Sequence, residues 1–132
     1  MLYKIYRILL WVQGIYSLTT ALWALFDIDS FMKVSGPKTD IWLVKTVSVL
    51  LVAIAICLLS FLFMRTHPLP AIILGGMTAL GLILIDIYYT ANHTIKWVYL
   101  LDAVAEAAFL LVWLILLINI NKLYKQITNS AL

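Results

Sequence analysis

The chain has 132 residues, of which 65% are hydrophobic and only 11% charged, with a mean hydropathy of +1.08. A water-soluble domain is about 45–50% apolar and about 25% charged, so this composition excludes a soluble globular fold and makes lipid the solvent for most of the surface. The net charge of +3 comes without any basic run, as expected of lysines and arginines that flank membrane spans, and it gives no case for a nucleic-acid partner.

The first predicted span runs from about Ile5 to Phe26, between Lys4 and Asp27. A basic start before an apolar stretch is also how a signal peptide reads. Here no small-x-small cleavage site follows, and Gln13, Ser17 and Thr20 recur at regular spacing, so a retained span is expected. Asp27 to Asp40 forms the only sizeable loop. Within it Ile28, Phe31 and Met32 have helical spacing, which predicts a short interfacial helix. Gly36-Pro37 ends that helix, and Thr39 or Asp40 is placed to cap the next.

The second span covers about Ile41 to Met64, and Arg65, His67, Pro68 and Pro70 make a tight turn after it. The third covers about Ala71 to Thr90, with Asn92 and His93 in the following turn. The fourth covers about Ile95 to Ile120 and precedes a short polar tail carrying Lys122 and Lys125. Backbone groups in lipid must be satisfied within the segment or within a closed barrel. Apolar runs this long, rich in Leu, Ile, Val and Ala, are helices. Four such spans with short connections predict a single all-α domain over 1–132, an integral membrane four-helix bundle with up-down-up-down topology.

Lys4, Arg7, Arg65, Lys122 and Lys125 collect on one side and Lys33, Lys38, Lys45 and Lys96 on the other. The excess favours both termini in the cytoplasm, with dual insertion left open, and the short loops suggest a bacterial inner membrane. Trp23, Trp42 and Trp97 fall at the ends away from the termini, as an aromatic belt would. The single cysteine, Cys57, reads as a small packing residue.

Four ionisable residues fall inside the spans: Lys45, Asp86, Asp102 and Glu106. A charge at membrane depth costs about 2.5–3.5 kcal/mol on insertion scales, so such residues rarely face lipid. A rise of about 1.5 Å per residue places all four in the half away from the termini, with Glu106 deepest and near the midplane. Asp102 and Glu106 stack on one face that continues through Phe109 and Trp113. Asp86 shares a face with Gly75, Ala79 and Thr90, and the small residues point that face into the bundle. Lys45 shares a face with Trp42, Ser48, Val52 and Ala55, while Gln13, Ser17, Thr20 and Ala24 form a small and polar stripe on the first span.

Turning all four faces inward gives a polar cleft floored by Glu106 and Gln13, with aromatic and aliphatic residues below. Its expected ligand-binding residues are Glu106, Asp102, Asp86, Lys45, Gln13, Ser17 and Trp42. The bland reading is that Lys45 pairs with Asp86 or Asp102 to fix register, or that Lys45 and Asp86 reach the interface. No grouping has metal-ligand spacing and no cofactor motif is present, so neither a metal nor a cofactor is expected.

The layout of four spans, a longer first loop and an acidic residue in the last span resembles small bacterial membrane proteins of the DoxX-like kind. The stretch from Gly36 through Pro37, Lys38, Thr39, Asp40, Ile41, Trp42, Leu43 and Val44 to Lys45 looks like a family signature. The layout is also loosely similar to four-helix sterol-binding and isomerase proteins of the emopamil-binding type, which use acidic residues in a membrane cavity. The first functional expectation is binding of a membrane lipid or other amphipathic small molecule. The alternatives are proton-coupled transport by a homodimer, an intramembrane isomerase with Asp102 and Glu106 as acid and base, and a structural or assembly subunit.

Overall fold

A computed structural model describes residues 1–129, and within them the chain is all helical. Four helices are long and apolar enough to cross a membrane: α1 (Leu2–Phe26), α3 (Ile41–Ser60), α4 (Leu69–Ala91) and α5 (Tyr99–Ile118). Two short helices complete the fold, α2 (Ile28–Ser35) after the first span and α6 (Ile120–Asn129) after the last. The protein is an integral membrane four-helix bundle.

Local chemistry sets the breaks. Asp27 ends α1 and caps α2, its Oδ1 accepting from the Ser30 N–H at 3.1 Å. Gly36 closes α2 at φ +99°, a conformation that favours glycine. Pro70 sits in the first turn of α4, where its missing N–H would have had no helical partner. His93 lies at φ 55° and separates α4 from α5.

Several boundaries differ from the sequence reading, the first span starting at Leu2 instead of Ile5 and the third running Leu69–Ala91 instead of Ala71–Thr90. The second span stops at Ser60, and the expected continuation to Met64 is a turn. The fourth begins at Tyr99 instead of Ile95, because residues 97–98 form a turn. It ends at Ile118, where Asn119 folds its side-chain amide onto the Ile115 carbonyl at 2.9 Å. The expected polar tail is the amphipathic helix α6: Lys122 and Lys125 stay exposed while Leu123 and Ile127 are buried. Its Gln126 Oε1 accepts the Tyr3 N–H at 2.9 Å, satisfying one of the free amides at the start of α1. At the start of α3, Asp40 occupies the cap position without a side-chain bond to the helix; its carbonyl accepts from Leu43 and Val44 instead.

The spans pack as two antiparallel hairpins. α1 lies closely against α3, and α4 against α5, while α3 and α4 touch little. The end that holds the N-terminus, the α3–α4 turn and α6 is dry. Tyr6, Leu10, Leu58, Ile72, Trp113 and Leu116 form its core. Midway sits one polar layer: Gln13 donates from Nε2 to the Gly75 carbonyl at 3.1 Å and accepts from Trp113 Nε1 at 2.7 Å. Beyond that layer, toward α2, the hairpins part.

Candidate functional site

The parting leaves a cavity of about 300 Å³ between the hairpins. α1 contributes Tyr16, Ser17 and Thr20, α3 contributes Val44, Val47 and Ser48, α4 contributes Ile85 and Asp86, and α5 contributes Tyr99, Asp102 and Glu106. Phe31 of α2 and Lys38 of the loop lie at the end nearest the interface. Helical spacing explains the convergence. Ser17 and Ala21 are four apart, as are Val44 and Ser48, and Asp102 and Glu106, so each pair shows one face to the gap.

Its carboxyls come from α4 and α5 and its hydroxyls from α1, α3 and α5. Tyr16 donates its O–H to Asp102 Oδ1. Asp86 of α4 lines the same cavity as Asp102. Glu106, one turn deeper, is 1% exposed, and its Oε2 has no partner. Asp86 and Ser17 are each 4% exposed, and Asp86 Oδ2 and Ser17 Oγ meet no protein donor or acceptor. The hydroxyls of Thr20 and Ser48, by contrast, are spent on the carbonyls of Tyr16 and Val44 at 2.9 and 2.8 Å. No ion pair reaches the three carboxyls among the described residues. Lys38, the basic side chain on the lining, turns its Nζ to the Ser35 carbonyl at 3.3 Å and to the Tyr99 ring at 4.9 Å.

Of the seven residues expected to bind a ligand, Glu106, Asp102, Asp86 and Ser17 come together on this lining. Gln13 is fully buried but lies in the layer beneath, with its amide already engaged on both sides. Lys45 and Trp42 are not brought in: both are exposed, Trp42 by 69%. The inward seam of α3 runs through Val44, Ser48, Ala55 and Leu58, and Lys45 stands one residue past it. Near a span end, a lysine and a tryptophan are stable facing the interface, where the ammonium reaches water and the indole meets headgroups.

Tyr16, Tyr99 and Lys38 line the cavity without having been singled out from the sequence. The available signal for Tyr16 is its depth, since it falls at the level of Asp102 on the span that carries the polar stripe. Tyr99 and Lys38 gave none beyond their place near the interface.

The fold and its site thus define a small integral membrane helical bundle with an acidic, partly unsatisfied pocket in one half of its thickness. No protein-family model matches the chain, and neither a curated protein nor a solved structure does. The three carboxyls do not form a metal-binding group, nor does any other set of histidine, cysteine, aspartate and glutamate among the described residues.

Proposed function

We propose that the protein binds an amphipathic, lipid-like molecule, with its polar end against Asp86, Asp102 and Glu106 and its apolar body between α3 and α4. One observation carries this reading. The cavity is apolar over most of its wall, yet it holds buried oxygen atoms with nothing to bond to. A buried polar atom left unpaired costs about 1–3 kcal/mol, and a ligand that supplies its partner recovers that cost.

The mouth fits the same reading. Leu43, Val47 and Ile85 line the cavity and are about half exposed, so it opens sideways toward the acyl chains. In this reading the chain sits in a bacterial inner membrane with both termini cytoplasmic, a layout akin to DoxX-like proteins. The basic residues at the α6 end support that orientation.

Native mass spectrometry of the protein released from mild detergent tests the proposal. The wild-type chain is expected to carry a lipid-sized adduct. Glu106→Gln, with its helical circular dichroism unchanged, is expected to lose most of it. Equal adduct in both proteins, or none in the wild type, counts against the pocket.

A further inference from the structure

Which polar end the pocket takes can be read from its unpaired atoms, on the footing that it binds an amphipathic molecule at all. Every free position is an oxygen. Glu106 Oε2 and Asp86 Oδ2 are acceptors when their carboxyls are ionised, and Ser17 Oγ can accept as well as donate. Ser17 belongs to a different helix from either carboxyl, so the want of a partner is not confined to the acidic cluster. Three carboxyls share the wall, and Lys38 is held away from them by Ser35 and Tyr99. Charge and hydrogen-bond capacity therefore ask for the same thing, a positive group that donates.

The neighbouring rings narrow the class. A quaternary ammonium is held by aromatic faces. Here Tyr99 packs under the Lys38 ammonium, Tyr16 packs edge-on to Phe109 with centroids 5.7 Å apart, and Phe31 packs against Trp23 at 5.5 Å. Each ring is engaged, and together they build no cage. A bare metal ion is disfavoured, because no three histidine, cysteine, aspartate or glutamate side chains among the described residues are placed to hold one. We propose that the head group bound here is a protonated amine carrying at least one N–H, on an apolar body that lies toward α3 and α4. The N–H donates to Glu106 and the positive charge offsets the carboxyl wall.

Binding of four probes that share a twelve-carbon chain tests this: dodecylamine, dodecanol, dodecyltrimethylammonium and laurate. Each is measured by scintillation proximity on the purified protein in phosphatidylcholine nanodiscs, with empty discs subtracted. Dodecylamine is expected to bind about tenfold or more tighter than the other three, the margin of one charge-assisted hydrogen bond. Glu106→Gln is expected to remove that margin and leave dodecanol binding in place. Should Glu106→Gln not fold, Asp86→Asn takes its place, with a smaller loss expected.

Dodecanol or laurate binding as tightly as the amine overturns the amine assignment and leaves the amphipathic pocket standing. So does a trimethylammonium probe that binds equally well, since that group has no N–H. A margin that survives both variants overturns it too. Failure of all four probes to bind overturns the amine assignment and the pocket together.

Discussion

Gly75 and Trp113 meet across α4 and α5 with no space between them. A Cβ built on Gly75 would come within 2.5 Å of the indole Cε2 and Nε1. The ring is buried and pinned by its bond to Gln13, so it has little freedom to give way. Gly75→Ala is therefore expected to destabilise the protein by about 1–3 kcal/mol, the usual cost of overpacking, read as a lower unfolding temperature in detergent micelles. Gly81→Ala, on the same helix but with nothing within 4 Å, is the control and is expected to leave that temperature unchanged or raise it. The sequence pointed to Gly75 as a close-contact position, because a small residue recurs at Ala79. It did not show what the glycine contacts. Trp113 was placed on the acidic face of α5 by spacing alone, and its bond to Gln13 spans one hundred positions of chain, which no local pattern encodes. Gln13 was read as the floor of a cleft for the same reason: a polar residue at depth signals a partner, without saying whether that partner is ligand or protein.

Among the elements, α2 was legible from the spacing of Ile28, Phe31 and Met32, and its anchoring is local. Trp23 Nε1 donates to Ser30 Oγ at 2.7 Å, and the Trp23 and Phe31 rings pack edge to face. Asp27 sits at the hinge, and its bonds from the Ser30 side chain and backbone N–H hold its carboxyl below the usual value. A lowered folded-state value means that the carboxylate contributes stability above the ordinary aspartate range, which is lost as pH falls through the folded value. Amide exchange at Ser30 is accordingly expected to be slow at neutral pH. At strongly acid pH it is expected to accelerate relative to a mid-span amide such as Leu51, and Asp27→Asn is expected to flatten that pH dependence. Helix α6 escaped the sequence reading because hydropathy over 120–129 is low. Its signal is the i, i+4 pair Leu123 and Ile127, two apolar side chains among polar ones, which only packing against α1 makes decisive. Lys45 misled for the converse reason. A charge inside a span suggests burial, yet near a span end a one-residue rotation off the seam leaves it at the interface.

At the scale of the molecule, the number of spans, their order and their antiparallel connections follow from hydropathy and loop length, and these agree with the structure. How the hairpins sit together does not follow, because it depends on side-chain volumes that only meet in three dimensions. Large residues at the α6 end draw the hairpins together, while Ser17, Ala21 and Ser48 at the other end leave them apart. The gap is thus a product of small side chains rather than of any acidic motif. Val47→Trp is expected to fill its mouth, since Val47 lines the cavity and is 45% exposed. The lipid-sized adduct is expected to fall while the unfolding temperature holds, because no core contact is altered.

Lys38 rests on Tyr99 and the end of α2 at one end of the cavity, and in the proposed reading the flank between α3 and α4 faces acyl chains. A guest arriving by that flank is drawn from a two-dimensional reservoir. Its occupancy then tracks its mole fraction in the leaflet and is blind to bulk aqueous dilution, so adding empty vesicles strips the site even when total guest per volume is held constant.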